Sequence, residues 1–307
     1  MINATAPGKI ILFGEHAVVY ARPAIAVPVF HVRAQATIEP RADARVVIVA
    51  RDLAREYALD DAPADDPLAA IIRATCARLN VAPQNFCIAI HSTIPLASGL
   101  GSGAAVSVAI VRALAKFFGV TLSEVEVSAL AYETEKLHHG TPSGIDNTVI
   151  AFEQPVYFVR GQPIETFRVA RPFTLAIADT GVAAPTKIAV GDVRRAWEAD
   201  RARCESLFDQ IGALARDARA ALERGAVDAL GDLMNANQVL LRAIGVSSPE
   251  IETLVGAALR AGARGAKLSG AGRGGNVIAL ADAVTQDEVE RALLDAGARR
   301  VIVTRVA

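Results

Sequence analysis

The segment from Pro95 to Ala105 constrains the fold and chemistry of this chain more than any other part of the sequence. It reads PLASGLGSGAA, and it lies between a predicted strand at 86–94 and a strongly apolar predicted helix at 104–118. Its three glycines permit positive φ and let backbone N–H groups come close to an anion. The unpaired N–H groups at a helix start add partial positive charge. The pattern therefore favours a site for nucleotide phosphates, to which Ser102 adds a hydroxyl for phosphate or metal.

Three alternatives to this interpretation apply to the same residues. A tight strand-to-helix turn without a ligand is the simplest. The spacing of Gly99, Gly101 and Ala104 also satisfies GxGxxA, but Pro95 and Ser98 separate the glycines from the strand. No acidic residue caps a following strand at the distance that a dinucleotide-binding fold requires. A P-loop is excluded because GxxxxGK[ST] does not occur in the chain.

A second glycine-rich segment, KLSGAGRGGN at 267–276, lies between two predicted strands. It has four glycines in six positions, whereas a hairpin turn usually needs one or two. A flexible connection would account for it. Alternatively, the loop forms a wall that approaches a ligand closely, with Arg273 available to phosphate.

Two carboxylates flank the turn-rich stretch GTPSGID. Glu135 lies near the end of a predicted helix, and Asp146 follows the turn. Phosphoryl transfer to an alcohol needs a carboxylate that accepts the hydroxyl proton. Mg²⁺ needs only one or two carboxylates, so the pair could divide these roles. The structural alternative makes Asp146 the N-cap of a short helix and Glu135 a solvated helix residue.

The opening PGKIILFGEHAVVY at 7–20 carries three further candidates. Lys9 lies among apolar strand residues, and Glu15 and His16 follow a glycine in a turn. A lysine in this position could lower the pKa of a substrate hydroxyl or bind an anion. The alternatives are a strand-edge lysine whose ammonium reaches water and a hydrogen-bonded structural histidine.

Composition excludes several classes of protein. The 307 residues are 52% hydrophobic and carry a formal net charge of -1, so no basic patch for nucleic acid is visible. Three scattered cysteines form no metal or disulfide pattern. No apolar segment is long enough to span a bilayer. We therefore expect a cytoplasmic protein that binds neither nucleic acid nor membrane.

The order of predicted elements favours two lobes. Strands dominate the first fifty residues, and helix–strand units dominate the second half, where a long helix is predicted from Thr186 to about Arg224. This order is typical of an α+β protein. We expect domains at 1–167 and 168–307.

The four segments together resemble the GHMP kinase superfamily. PGK…FGEHAVVY is similar to its first motif, PLASGLGSGAA to its second and KLSGAGRGGN to its third, in family order and over nearly the whole chain. The resemblance implies an α+β, two-lobed fold. The N-terminal lobe would be like ribosomal protein S5 domain 2, with a left-handed β-α-β crossover, and the C-terminal lobe would be ferredoxin-like.

The resemblance also implies roles for individual residues. Asp146 would be the catalytic carboxylate and Lys9 its partner, while Glu135 and Ser102 would bind Mg²⁺. Glu15, His16 and Thr186 would lie against the acceptor or the transferred phosphate. The ATP-binding residues would be Pro95, Leu96, Ala97, Ser98, Gly99, Leu100, Gly101, Ser102, Gly103, Ala104 and Ala105.

Within the superfamily, GEHAVVYARPAIAVPV and EKLHHGTPSGIDN resemble the mevalonate kinases. This implies ATP-dependent phosphorylation of the 5-hydroxyl of (R)-mevalonate, possible homodimers, and ATP and mevalonate as the partners. Gly103 stands where the family commonly has a second serine, so the hydroxyl that binds Mg²⁺ stays open.

Rivals on the same fold are a mevalonate 3-kinase, a phosphomevalonate kinase and a non-catalytic ligand sensor. A phosphorylated acceptor would need extra cations, for which Lys187, Arg194 and Arg195 are the candidates. The presence of both Lys9 and Asp146 argues against a sensor.

Overall fold

The computed structural model describes residues 1–95, 98–139, 143–183 and 186–307, and of residues 137–139 only the backbone. Contacts divide the chain into two compact units. Unit 1 comprises Met1–Gly8, Val32–Leu96 and Leu100–Glu153, and unit 2 comprises Lys9–His31, Ala97–Gly99 and Gln154–Ala307. The predicted domains, 1–167 and 168–307, are each continuous in sequence, whereas each of these units consists of three separate segments. The predicted domain boundary therefore stays a prediction.

The described residues form eleven strands and nine α-helices. The strands are β1 Ile2–Phe13, β2 Ala24–Pro40, β3 Val46–Ala50, β4 Arg55–Ala58, β5 Phe86–Ser92, β6 Val156–Phe158, β7 Glu165–Thr166, β8 Phe173–Asp179, β9 Gly265–Ser269, β10 Asn276–Ala281 and β11 Arg300–Val306. The helices are α1 Pro67–Leu79, α2 Ser102–Phe117, α3 Glu124–His139, α4 Ile145–Phe152, α5 Thr186–Ala199, α6 Arg201–Glu223, α7 Val227–Ala243, α8 Pro249–Arg260 and α9 Gln286–Asp295.

Unit 1 is a sheet covered by helices around a central helix. In its sheet, β5 pairs antiparallel with the second half of β2 and parallel with β3, and β4 pairs antiparallel with β3. The central helix is α2, which packs against α1, α3 and α4. Its small and β-branched residues are mostly buried, which explains why this helix is apolar on nearly every face.

Unit 2 contains a four-stranded antiparallel sheet in the order β11-β8-β10-β9. Helices α5–α8 connect β8 to β9, and α9 connects β10 to β11, which is a ferredoxin-like β-α-β-β-α-β arrangement with extra helices. The core between this sheet and its helices includes Phe208, Leu241, Leu268, Val277 and Val289. The α+β class predicted from the sequence is confirmed.

The long helix predicted from Thr186 to about Arg224 is wrong as a single element. It is divided into α5 and α6 at Asp200. The carboxylate of Asp200 accepts a hydrogen bond from the backbone N–H of Arg203 at 3.1 Å and caps α6. An aspartate at this position is a favoured helix start, and the apolar periodicity on both sides concealed it.

Candidate active site

The N-terminus of α2 is the predicted phosphate site. Gly101 precedes the helix with φ 74° and has no side chain that could cap its N–H groups. The helix core beneath it is tight, because Leu100, Ala104 and Ala105 are buried. Ser102 is the first helical residue and is half-buried. This helix start therefore combines partial positive charge with a glycine backbone, the arrangement that suits an anion. Of the predicted ATP-binding residues, Leu96 and Ala97 lie outside the described residues.

Glu135 on α3 lies over the first turn of α2. A Cβ built on Gly103 would lie 3.2 Å from Glu135 Oε1. The Glu135 side chain is buried, with 7% of the residue exposed. The structure thus brings the predicted metal carboxylate next to the predicted phosphate site, within unit 1.

Asp146 lies in the first turn of α4, whose N-cap is Gly144 with φ 88°. The structural alternative that made Asp146 an N-cap is therefore wrong. The next residue, Asn147, donates from Nδ2 to Ser128 O at 3.1 Å and to Ser128 Oγ at 2.9 Å. Ser128 and Glu135 are seven residues apart on α3, which places them on one face. Asn147 therefore connects the helix of the candidate base to the helix of the candidate metal ligand.

Unit 2 contains Lys9, Glu15 and His16. Lys9 lies in β1 and is buried, with 4% exposed. Both oxygens of Glu15 are engaged, because Lys267 Nζ pairs with Oε1 and Asn237 Nδ2 donates to Oε2 at 3.2 Å. The side chains of Glu15 and Lys267 are fully buried. Glu15 thus presents no accessible atom to an acceptor, and its surroundings indicate that it positions other residues.

His16 has a defined tautomer. Its Nε2 lies 2.9 Å from the carbonyl oxygen of Ala271, which can only accept, so Nε2 carries the proton and Nδ1 the lone pair. Burial lowers the pKa of His16 to about 4, and Arg273 contributes to the lowering. The imidazole is therefore neutral at physiological pH.

The second glycine-rich segment, residues 267–276, is hydrogen-bonded to both other motif segments of unit 2. Ser269 Oγ donates to Ile11 O at 2.7 Å, and Asn276 Nδ2 donates to Ser98 O. The guanidinium of Arg273, which the sequence suggested for phosphate, forms an ion pair with Asp192. A Cβ on Gly272, where φ is 75°, would collide with the carbonyl of Val246. Close approach to neighbouring backbone thus accounts for this glycine.

Thr186 is exposed as the first residue of α5. Its predicted place near the transferred phosphate stays a prediction, as do the pairing of Lys9 with Asp146 and the metal roles of Glu135 and Ser102. Among the residues that the structure describes, no group of three or more His, Cys, Asp or Glu side chains could hold a metal ion.

Two family models match the chain: the GHMP kinases N terminal domain over residues 67–154 and the GHMP kinases C terminal domain over residues 218–299. A mevalonate kinase of Thermococcus sibiricus is 35% identical over 98% of this chain and 95% of its own length. A mevalonate kinase of Aeropyrum pernix is 36% identical over 95% of this chain and 91% of its own length. The chain belongs to the GHMP kinase family.

The fold of this GHMP kinase agrees with a solved relative. The structure of L. major mevalonate kinase in complex with R-mevalonate matches with a TM-score of 0.86 and 29% identity, covering 99% of this chain and 95% of that chain. The family resemblance of the sequence motifs is therefore confirmed. None of the helices in the described part of this kinase combines the length and apolar character needed to cross a bilayer.

Sequence reasoning missed four residues of this GHMP kinase: Lys267, Asn237, Asn147 and Ser128. Lys267 lies in an apolar strand and Asn237 in an amphipathic helix. A polar residue at a position predicted to be buried indicates that its side chain has a hydrogen-bond or ion-pair partner. Nothing in the sequence indicates which partner each would find.

Proposed function

We propose that this GHMP kinase transfers the γ-phosphate of ATP to the 5-hydroxyl of (R)-mevalonate. The observation that carries the proposal is the near full-length match to enzymes named mevalonate kinase at about 35% identity. The polar residues expected of such a kinase are also present in unit 1: Ser102 at the start of α2, Glu135 on α3 and Asp146 on α4. A structural match without sequence similarity would not favour one substrate over another. Sequence identity of 35–36% over nearly the whole chain does favour the substrate of those relatives.

The N-terminus of α2 would bind the β- and γ-phosphates through its backbone N–H groups. The mevalonate hydroxyl oxygen would form a bond to the γ-phosphorus as the bond to the ADP oxygen breaks. Asp146 would accept the hydroxyl proton, and Lys9 would stabilise the developing negative charge on that oxygen. In such transfers positioning and charge stabilisation supply most of the rate.

The residues at the start of α2 fit a divalent cation. Mg²⁺ takes one or two protein carboxylates and completes its shell with water and phosphate oxygens. The buried carboxylate of Glu135 lies beside Gly103 at the proposed phosphate site, and Ser102 adds a hydroxyl. Glu135 and Ser102 would hold the ion, which when bound would neutralise charge on the phosphates.

Glu15 and His16 would act differently on the acceptor. The buried pair of Glu15 with Lys267 would orient the turn that presents His16. Because Nε2 of His16 donates to Ala271 O, its Nδ1 would accept a hydrogen bond from a hydroxyl of the substrate that is phosphorylated. Thr186 would approach the transferred phosphate.

The phosphomevalonate kinase alternative needs extra cations for a phosphorylated acceptor. On α5, Arg194 pairs with Glu198 at 3.1 Å, and Arg195 pairs with the half-buried Asp192. These partners satisfy two of the three candidate cations, which favours the unphosphorylated acceptor. A cytoplasmic location and a homodimer remain proposals that fractionation and light scattering would test.

The test is a coupled ADP-release assay with Mg-ATP and a panel of mevalonate, 5-phosphomevalonate, galactose and homoserine, followed by mass spectrometry of the product. We expect saturable turnover on mevalonate alone. Turnover on another member of the panel would reassign the acceptor. A chain that binds ATP but turns over none of the panel would favour the sensor alternative.

A further inference from the structure

The turn that carries His16 has a strained backbone. His16 has φ 61° and ψ -47°, and the N–H of Ala17 donates to the carbonyl of Glu15 at 2.7 Å. These values define a γ-turn with a positive central φ, which is a rare and strained conformation. A residue other than glycine keeps such a conformation only when its surroundings over-determine it. The contacts around this turn must therefore offset the cost of the strain.

Gly14 fixes the start of the turn. A Cβ built on Gly14, whose φ is 93°, would lie 2.4 Å from Ala24 Cα and 2.5 Å from the carbonyl oxygen of Pro23. These are backbone atoms, which cannot yield as the end of a flexible side chain would. The chain can therefore lie this close to the start of β2 only with glycine at position 14. The carbonyl of Gly14 also accepts a hydrogen bond from the N–H of Val18 at 3.0 Å, which closes the turn.

The γ-turn directs two neighbouring side chains to one segment of unit 2. Successive side chains of an extended chain point to opposite faces. Here Glu15 pairs with Lys267, and His16 Nε2 donates to Ala271 O at 2.9 Å. Both partners lie within residues 267–271, which run from β9 into the glycine-rich loop. The reversed backbone thus lets a single segment hold the carboxylate and the imidazole together.

We propose that this γ-turn fixes the imidazole of His16 before the alcohol substrate binds, and that Lys267 is a positioning residue that holds the turn through Glu15. The buried ion pair and the hydrogen bond to Ala271 offset the cost of the strained backbone. The Nδ1 atom of His16 then keeps one direction, so substrate binding does not have to order the turn. This inference rests on the proposed function, in which His16 Nδ1 accepts a hydrogen bond from a hydroxyl of the substrate.

The strain is tested by two variants that both lack the imidazole. Alanine usually gives the more stable protein, because glycine loses more conformational entropy on folding. At a position with positive φ this order reverses. We therefore expect the midpoint of thermal unfolding of His16→Gly to lie above that of His16→Ala. A midpoint equal to or below that of His16→Ala would show an unstrained turn and overturn the proposal.

The role of Lys267 is tested in the double variant Lys267→Met with Glu15→Gln, which removes the ion pair without leaving an unpaired charge. In protein labelled with ¹⁵N-histidine at neutral pH, we expect wild-type His16 to show only the tautomer with a proton on Nε2, and the double variant to show both tautomers. In the double variant kcat/KM for mevalonate should fall roughly 10–100-fold, the cost of a misplacement of about 1 Å, while KM for ATP should not change. A single tautomer or wild-type kcat/KM in the double variant would overturn the role of Lys267.

Asn235→Ala is the matched control for a general loosening of β9. Asn235 Oδ1 accepts a hydrogen bond from Ala266 N in the same strand, and Nδ2 donates to Arg264 O, but neither bond reaches the turn. This variant should lose stability and keep the single tautomer and kcat/KM of the wild type. Two tautomers in the control would assign the effect to the strand and overturn the proposal. The tautomers and the thermal midpoints do not depend on mevalonate, so wild-type turnover on another substrate would contradict the proposed function alone.

Discussion

Lys267 and Glu15 form an ion pair in which neither side chain has accessible surface. The two residues belong to the third and first motif segments, which are separated by most of the chain. Burial lowers the pKa of Lys267, while the Glu15 carboxylate opposes that change. Lys267 Nζ also donates to Leu268 O at 2.6 Å. The pair fixes the turn of Glu15 and His16 against the strand that leads into the glycine-rich loop.

Lys267→Met should be strongly destabilising. Methionine replaces the lysine stem but leaves the Glu15 carboxylate buried without its cation, for which the expected loss is about 3–5 kcal/mol in the free energy of unfolding. Urea denaturation would measure it. In the double variant Lys267→Met with Glu15→Gln, no unpaired charge remains, so it should lose less than the sum of the two single variants. Additive losses would contradict a coupled pair.

Asp146→Asn should abolish turnover without unfolding the protein. The amide cannot accept the hydroxyl proton, so we expect kcat to fall by several orders of magnitude, on the order of 10³ or more for a general base that also orients the nucleophile. Asp146 is only half-buried in the first turn of α4, where losing the helix-dipole interaction costs about 1 kcal/mol or less. Steady-state kinetics with a thermal melt would check both. Near-normal turnover would remove Asp146 from the mechanism.

Asn147→Ala should reduce kcat more than it reduces nucleotide affinity. The variant removes both hydrogen bonds to Ser128, so α4 and its Asp146 are less firmly placed against α3, and misplacement of about 1 Å costs roughly 10–100-fold. Ser128→Ala is the partial counterpart: it keeps the carbonyl acceptor of Asn147 and removes Ser128 Oγ, which also lies 3.4 Å from Thr148 Oγ1. Kinetics at saturating and limiting ATP would separate kcat from KM. Equal kcat in both variants and the wild type would contradict a positioning role.

The neutral His16 should make stability sensitive to acid. Its pKa in the folded protein is about 4, mainly because of burial, against about 6.5 in an unfolded chain. Between these values the unfolded chain binds a proton that the folded protein does not, so stability falls as the pH falls through this window. The gap corresponds to about 3 kcal/mol.

His16→Gln isolates this effect, because glutamine keeps an N–H donor for Ala271 O and does not titrate. Between pH 7.5 and 4.5 the thermal midpoint of His16→Gln should fall less than that of the wild type. Parallel curves would show that His16 does not titrate as its burial predicts.

The sequence predicted the fold class well because the strongest signals were local. The glycine loop followed by an apolar helix, and the alternation of β5, correspond to described elements within a few residues. The boundary between α5 and α6 was missed because the helical pattern continues on both sides of Asp200. A single aspartate among other polar residues does not stand out as a helix cap. Which strands pair is a matter of long-range contacts that periodicity does not encode.

The candidate site was predictable in its residue types and only partly in its contacts. Glu135 and the start of α2 were separate predictions of the sequence, and the structure places them side by side. Glu15 was expected against the acceptor, yet its burial against Lys267 depends on a strand more than two hundred residues later. Burial of a charge is decided by its distant partner, which is why no local pattern indicated it.

The product formed from mevalonate and Mg-ATP tests the central claim most directly, through ³¹P nuclear magnetic resonance with proton coupling. A phosphate on the primary 5-hydroxyl is three bonds from the two C5 protons, so the account predicts a phosphorus signal split into a triplet. A phosphate on the tertiary 3-hydroxyl has no proton on its carbon, and a singlet would show phosphorylation there. That singlet, or the absence of a phosphorylated product, would contradict the proposed reaction.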